Sequence, residues 1–516
     1  MGSAALATQR AAIEITGHNL SNVNTPGAAR QRVNIKTSIT LPLGFGIQGS
    51  GSYAQGIQSL RNLMLDAQVV RQQSLSGYYS KRDDLVNQLQ GVMGESLTTS
   101  IANAQSTTNP STGLESSLNN FFSAWQALSS NPNSDVARQN VLDQAGNVTA
   151  DIRKTYERLL DLKNQVINET GASTTSLNLL STQVAKLNDQ ISRIENSTGS
   201  PANDLRDQRQ DLIEQMSKIA NITVTTSSTN PAMVNIALTD NSSIALVNGV
   251  YGGGAGSGAN ATYRIDTAVL NPMTGNVEAS NQYNRTNNSA LTLVATNSTT
   301  APTLGGAPIP GTSTVITPTE GELGAFLTVA NEDIGSGVQP PANGAVISTS
   351  TDSIIYKINT LAANIISIVN TAHTTNSWDL NGAAGTNFFS GTNATNINVL
   401  ITDTDKIAAA GGLTNPGELD ATVATTIAGL RNNANIGEYQ RKMTADLGAS
   451  VQQQDRNVAT QQLIQQQVLR QRDSISGISI DEEMTGMISY QRAFEASAHF
   501  ITTIDQMLQQ VMNMKR

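Results

Sequence analysis

Two acidic groupings hold the residues best suited by type to do chemistry. Asp481-Glu482-Glu483 sets three carboxylates in a row, and Asp207 and Asp211 stand one helical turn apart. Carboxylates so placed could hold a divalent cation or divide general acid and base work between them. Each has a plainer reading. Ser479 serves as an N-cap, Glu482 three residues on completes a capping box, and the remaining carboxylates favour a helix N-terminal dipole. Arg206 and Arg209 are interleaved with Asp207 and Asp211, which reads as surface ion pairs along a helix.

The other candidates are weaker. Trp378-Asp379-Leu380-Asn381-Gly382 is similar to the start of a calcium loop but lacks the closing acidic residue, so it reads as an ordinary turn. Gly252–Gly258 is glycine-rich, yet no Lys-Ser/Thr follows and no helix opens, so it reads as a flexible loop. The Asn-X-Thr matches at Asn260, Asn284 and Asn393 are what a chain rich in Asn and Thr produces by chance. His18, His373 and His499 are the only histidines and sit in three separate contexts. Each reads as a surface or interface side chain, and together they make no metal triad. Cysteine is absent, which removes thiolate nucleophiles, disulfides and Cys-based metal sites together. No catalytic group, cofactor or metal ligand is assigned, and the chain is read as a non-enzyme.

Composition narrows the class further. The chain has 516 residues, room for about three domains. Only 14% of residues are charged and 4% aromatic, so any core is aliphatic and alanine-based. A net charge of −9 disfavours nucleic acid and anionic membrane surfaces alike. No run of 18 apolar residues exists to span a bilayer. The first twenty residues lack the basic and apolar regions of a cleaved signal peptide.

What must position these groups is helix at both ends. From Ile480 to Val511 the apolar positions Met487, Tyr490, Phe494, Ile501, Ile504, Leu508 and Val511 keep a seven-residue repeat whose one lapse is Ser497. That spacing puts a narrow stripe on one helical face, the seam of a coiled coil. With little nearby to fold against, the stripe is expected to be covered by something else, which points to assembly. At the other end Leu6, Ile13 and Leu20 recur every seven residues in a first helix ending at Asn22-Val23-Asn24-Thr25-Pro26-Gly27. Val33, Ile35 and Thr37 alternate in a short strand, followed by Gly-rich turns from Gly44 to Gly51. Ile57, Leu60, Met64 and Ala67 open a helix towards Leu89. Ile152, Tyr156, Leu159, Val166, Leu177, Leu180, Val184, Leu187, Ile191 and Ile194 share one heptad frame, predicting a rod of roughly 70 Å. Lys163, Thr170 and Ser173 weaken its middle, Gly171 loosens it, Pro201 breaks it, and Asn203 or Asp204 caps the next helix.

The middle differs. Between Asn221 and Thr319 the only charged residues are Asp240, Arg264, Asp266, Glu278 and Arg285, and short alternating runs lie between glycine- and asparagine-rich turns, among them one at Pro272-Met273. Helical patterning returns at Gly321–Asp333 and Ile354–Asn370, and two Gln-rich stretches lead into the terminal helix. The fold class is therefore α+β: a long antiparallel α-helical bundle or coiled-coil core from both chain ends, with an inserted β-rich domain. The expected division is a terminal coiled-coil unit (1–55 and 475–516), a helical rod (56–220 and 320–474) and the insert (221–319).

Several motifs carry a family resemblance. Gly17-His18-Asn19-Leu20-Ser21-Asn22-Val23-Asn24-Thr25-Pro26-Gly27 resembles the N-terminal motif of the bacterial flagellar axial proteins of rod, hook and junction. Ser476-Gly477-Ile478-Ser479-Ile480-Asp481-Glu482-Glu483-Met484 and Tyr490-Gln491-Arg492-Ala493-Phe494 resemble their C-terminal motif, in the acidic version of the hook-associated protein 1 (hook–filament junction) family. Asn120-Phe121-Phe122 through Ala137-Arg138-Gln139, and Asp204-Leu205-Arg206-Asp207-Gln208-Arg209 through Asn221-Ile222-Thr223-Val224, are similar to the same family. Two departures stand out: Ala28-Ala29 replaces an aromatic packing anchor after Pro-Gly, and the first helix begins about ten residues late.

The resemblance implies a protein exported unfolded through the flagellar type III apparatus and secreted to the bacterial flagellum. It implies a single ring of like subunits at the hook–filament junction, with both terminal helices forming the inner tube. The implied partners are hook protein, a second junction protein (hook-associated protein 3) and an export chaperone on the C-terminal helix, with no nucleic acid and no membrane insertion. The assembly interface is assigned to Leu6, Ile13, Leu20, Met487, Tyr490, Phe494, Ile501, Ile504, Leu508 and Val511. A secreted adhesin gripping a ligand through the β-rich insert is the alternative. An enzyme carried in the insert is weaker still, because that segment has no His, Cys or clustered acid.

Overall fold

The computed structural model describes residues 2–38, 40–43, 46–49, 51–93, 113–256, 261–270, 277–279, 290–297, 314–335, 352–414 and 419–514. The Asn260 and Asn284 matches and the Pro272-Met273 turn lie outside these residues. Helix α1 (Gly2–Ser21) leads through the asparagine-rich turn into a ribbon of β1 (Gln31–Thr37), β2 (Thr40–Leu43), β3 (Gly46–Gly49) and β4 (Ser52–Ser59). β1 pairs antiparallel with β4, and β2 with β3. Then come α2 (Leu63–Met93), α3 (Leu114–Ser130), α4 (Asp135–Thr198) and α5 (Asn203–Ile219). Ile57 and Leu60 do not open α2: Ile57 belongs to β4, and α2 starts at Leu63 because Asn62 Oδ1 accepts the Met64 and Leu65 N–H groups at 3.0 and 3.3 Å.

The axis of the molecule is α4, 64 residues and about 95 Å long. Ser134 caps its start by accepting the Ala137 N–H, and Gly199 ends it in the left-handed region. Ile152, Leu159, Val166, Leu177, Val184 and Ile191 are fully buried, as their heptad frame requires. The polar middle does not loosen the helix, which passes Gly171 unbroken. Thr170 returns its hydroxyl to Val166 O at 2.7 Å, and Lys163, wholly buried, donates to Gly335 O at 3.0 Å. Burial pushes that ammonium down to about 7.

Two antiparallel sheets lie along this rod. One is β5 (Ile222–Thr226), β6 (Val234–Leu238), β7 (Ala245–Asn248) and β8 (Tyr251–Gly252), in sequence order. The other comprises β9 (Arg264–Leu270), β10 (Val277–Ala279), β11 (Ala290–Thr296) and β12 (Thr314–Ile316), ordered β10-β9-β11-β12. Asparagine amides on α4 act as extra strand partners. Asn178 exchanges both hydrogen bonds with the Ile265 backbone (2.7 and 2.9 Å), and Asn188 donates to Val234 O and Gly249 O. The glycine-rich stretch is not a free loop where it is described. A Cβ on Gly252 would stand 2.5 Å from Ser181 O, and one on Gly253 2.5 Å from Thr182 Oγ1, so this turn is pressed onto α4.

The chain returns through α6 (Gly321–Thr328), a π-helical turn (Val329–Gly335) and α7 (Ile354–Thr374). Four two-residue strands follow, not foreseen from the sequence: β13 (Ser377–Trp378), β14 (Phe389–Ser390), β15 (Asn398–Val399) and β16 (Ala410–Gly411). They are too short to show a period, and an aromatic cluster fixes them instead. Phe388 lies 4.9 Å from Phe389, 5.5 Å from Trp125 and 5.4 Å from His373 between ring centroids, with Phe121 and Phe122 beside them. Buried Arg138 pins the adjoining loops, donating to Pro132 O (2.8 Å), Ile407 O (2.7 Å) and Thr404 O (3.1 Å). Last come α8 (Thr422–Gly429), α9 (Gly437–Ser476) and α10 (Ile480–Met514). Helix α9 runs antiparallel to α2 with glutamines at the contact: Gln461 donates to Gln72 Oε1 at 2.6 Å and Gln465 to Gln73 Oε1 at 2.8 Å.

His373 corrects the surface reading given to it. It is fully buried, with Nδ1 2.6 Å from Thr386 O and Nε2 accepting the Ala408 N–H at 2.8 Å. Those partners assign a neutral ring protonated on Nδ1, and burial pushes its pKa down to about 4. The folded pKa lies below the unfolded value of 6.5, so this contribution is whole above pH 6.5 and lost as pH falls through 4. His373→Ala is expected to cost about 1–3 kcal/mol at pH 7. It should also remove up to about 3 kcal/mol of acid sensitivity between pH 6.5 and 4. Urea unfolding of both proteins across that range checks this; parallel curves would refute it.

Candidate assembly interface and its anchor

The two ends of the chain meet in an antiparallel pair. Gly2 abuts Ile501 so closely that a Cβ would stand 2.5 Å from Ile501 Cγ1, and at the far end Asn19 Nδ2 donates to Glu483 Oε2 at 3.1 Å. That register sets the buried α1 stripe of Thr8, Ala12 and Thr16 opposite Phe494, Tyr490 and Met487. Small residues allow close approach, and both threonines turn their hydroxyls back to their own helix, at Ala4 O and Ala12 O. Leu6, Ile13 and Leu20 lie beside this line and are half-buried.

On α10, Met487, Tyr490, Phe494, Ile501 and Ile504 are half-buried, whereas Leu508 is 58% exposed and Val511 64%. Helix α1 lies along this stripe, as the expected antiparallel pairing of the chain ends requires, and leaves it half-buried. Met484, Ile488, Phe500 and Met507 add apolar surface left open on α10. Among the described residues of this helix only Glu483 is buried. A single copy thus leaves α10 short of what an apolar heptad helix requires.

Glu483 anchors the pair. Its carboxylate takes Asn19 on one oxygen and lies 2.7 Å from Arg30 Nε on the other, an ion pair rather than an aligned hydrogen bond. Arg30 also reaches Glu482 at 2.5 Å, so Glu482 does not close a capping box; its carboxylate serves the partner segment instead. Asn19 meanwhile exchanges hydrogen bonds with the Gln31 backbone (2.7 and 3.0 Å). Gln31 in turn binds Asp204 and Asn203 through its side chain, so neither caps α5, whose cap position is Ala202. Backbone bonds finish the joint: Arg30 N–H to Ser476 O at 2.9 Å and Leu60 N–H to Arg30 O at 2.8 Å.

The asparagine-rich turn rests on α5. Gly27 has φ +76°, and a Cβ there would meet Asp211 Cβ at 3.3 Å. Asp207 accepts Ala29 N–H at 2.8 Å and Arg61 Nη2 at 2.9 Å, while the same Arg61 nitrogen donates to Gly27 O at 2.6 Å. Burial raises the Asp207 pKa, partly offset by the Ala29 N–H and by Arg61. The reading of Arg206, Asp207 and Arg209 as surface pairs along one helix is thus corrected. Asp207 and Arg209 are buried, Arg206 forks onto Glu195 with two 2.7 Å bonds, and Arg209 donates to Asn188 Oδ1 and Ala232 O. Asp207 thus ties α5 to the turn at Gly27 to Ala29, and the two arginines tie it to α4 and to the Ala232 loop.

The remaining candidates do not gather into a site. His18 lies 3.3 Å from Asp204 Oδ2, and His499 is exposed on α10. Asp379 closes an ordinary turn by accepting Ala383 N–H at 2.7 Å. Among the described residues no group of three His, Cys, Asp or Glu side chains could hold a metal ion, and no helix is long and apolar enough to cross a membrane. Asn19, Arg30, Arg61 and Glu483 were not assigned from the sequence. Asn19 and Glu483 stand in the two terminal motifs, but their partners are far away along the chain and leave no local pattern.

Residues 101–389 match a model described as the flagellar hook-associated protein FlgK helical domain. The chain belongs to the FlgK family of flagellar hook-associated proteins. Residues 1–28 match the flagella basal body rod protein family, and 469–514 the flagellar basal body rod FlgEFG protein C-terminal family, so both helices of the terminal pair carry flagellar signatures. Flagellar hook-associated protein 1 of Bacillus subtilis (strain 168) is 28% identical over 183 residues, 34% of each chain. The protein of that name from Salmonella typhimurium is 25% identical over 170 residues, 33% of this chain and 28% of its own. The aligned part thus spans about a third of these relatives. The flagellar hook junction protein FlgK from Burkholderia pseudomallei shares the fold with a TM-score of 0.59 at 14% identity, covering 80% of this chain and all of that one.

Removing the anchor gives a direct test. Glu483→Ala leaves Arg30 and Asn19 without their shared carboxylate, at a local cost of about 1–3 kcal/mol. Amide exchange across residues 480–490 is expected to quicken by about tenfold or more while the centre of α4 keeps its protection. Unchanged exchange in α10 would show that the anchor does not hold the pair.

Proposed function

We propose that the chain is a non-enzymatic structural subunit of the bacterial flagellum, joining hook to filament by assembly of its terminal helices. One observation carries this: even where α1 lies along it, α10 buries only Glu483 among its described residues and leaves Met484, Ile488 and Phe500 exposed. A neighbouring copy supplies the missing cover, completing the seam of Leu6, Ile13, Leu20, Met487, Tyr490, Phe494, Ile501, Ile504, Leu508 and Val511. Ordering of the pair is then coupled to assembly, as for helices that bury enough apolar surface only in a complex.

The proposed division of labour follows the sequence boundaries: a terminal unit (1–55 and 475–516), a rod (56–220 and 320–474) and an insert (221–319). The asparagine contacts that fasten strands to α4 favour the insert as part of a stiff subunit rather than a separate ligand-gripping head. In this reading the protein is secreted through the flagellar export route and meets like subunits, hook protein and a second junction protein. The open C-terminal half of α10 is the segment an export chaperone would shield.

Leu508 separates assembly from folding because it touches little of its own chain. Leu508→Asp should leave single-chain stability within about 0.5 kcal/mol, yet bury an unpaired charge on assembly. Unfolding of the purified chain should be unchanged, and a strain carrying the variant should lose filament attachment and swimming. Normal swimming in that strain would overturn the reading.

A further inference from the structure

We propose that the β1–β4 ribbon of one copy seats its Lys36–Tyr53 pair in an acid-rimmed cleft beside α5 of a second copy. This rests on the assembly reading and names one contact within it. The ribbon register sets Lys36 directly opposite Tyr53, so both side chains leave the same face, and both are exposed, Tyr53 by 43%. From Gln31 to Ser59 the only charged residues are Arg32 and Lys36, a net +2 on a chain of net charge −9. A two-stranded ribbon with both faces largely open is marginal by itself and gains most from being covered.

The cleft has the matching character. It encloses about 720 Å³ where the Pro26-Gly27 turn meets α4 and α5, with an apolar lining of Ala28, Leu187, Leu212 and Ile478. Asp204 and Asp211 stand among its walls, with Lys186 as a basic group and His18 beside Asp204. An aromatic ring with a cation at its side fits such a site: the ring fills the apolar floor while the ammonium meets the aspartates. Ala28 presents only a methyl group, which leaves the floor free for an incoming ring.

Position makes the contact intermolecular and directional. Within one copy the ribbon meets the cleft at Gln31, whose side chain binds Asp204. From Asn34 outward it runs on the face of Asn203 and Arg206, whereas the cleft opens on the face of Asp204, Gln208 and Asp211, with Asp207 on the ridge between. At 100° per residue these faces diverge by roughly a third of a turn. Knob and cleft on different faces give a head-to-tail contact, which closes into a ring or propagates.

The chain has no cysteine, so a designed pair reports this contact alone. In full-length protein carrying Tyr53→Cys and Asp211→Cys, oxidation of assembled material is expected to yield a ladder of disulfide-linked multimers that neither single variant gives. In the cysteine-free chain Lys36→Glu should lower assembly about tenfold, and adding Asp211→Lys should restore it. Amine cross-linking scores assembly independently. Assembly without the interchain disulfide, a disulfide confined to the monomer, or multimers from either single variant overturns this docking and leaves the assembly reading standing. Failure of the unaltered chain to assemble overturns both.

Discussion

A carboxylate withdrawn from water holds the architecture of the termini together. Glu483 is the buried residue of an otherwise open helix, and the fold answers its charge with Arg30 and its remaining oxygen with Asn19. Breaking such a group away from its partners leaves an uncompensated buried charge, a far larger penalty than losing a surface pair. Because Asn19 also grips Gln31, and Gln31 grips α5, this acid–base contact joins the bonds of Asp207 and Arg61 to the turn in setting the direction in which the terminal pair leaves the rod.

The rod follows a related logic with uncharged groups. The aliphatic frame of α4 supplies the core, but it does not decide which strands lie along it. Asn178 and Asn188 do, by offering a side-chain amide where a strand backbone would otherwise lack a partner. Arg138 and Arg209 act similarly, each donating to carbonyls of loops that pass over the helix. Low overall charge is consistent with this: the few buried charged groups are spent at joints, while α2 and α9 meet through glutamines.

Much of the fold was legible because repetition along a helix is a local property. The heptads of α4 and α10, the stop at Asn22 to Gly27 and the charge-poor β-rich middle could be read directly. The start of α2 could not, because Ile57 fits a helical period and a strand equally, and the Asn62 cap decides between them. Glu482 and Asp204 were misread for one reason. Each sits where a capping carboxylate belongs, yet each found a better partner far away in the chain.

The sequence by itself determined the helical ends, the axial rod and the β-rich middle, because periodicity, turn chemistry and composition act over a few residues. The tertiary structure alone decided that α1 leaves the α10 stripe half-buried, that His373 is a neutral core link, and that Asn19, Arg30 and Glu483 form one anchor. Those outcomes depend on which groups leave water together. Residues more than four hundred and fifty positions apart share no pattern until the chain has folded.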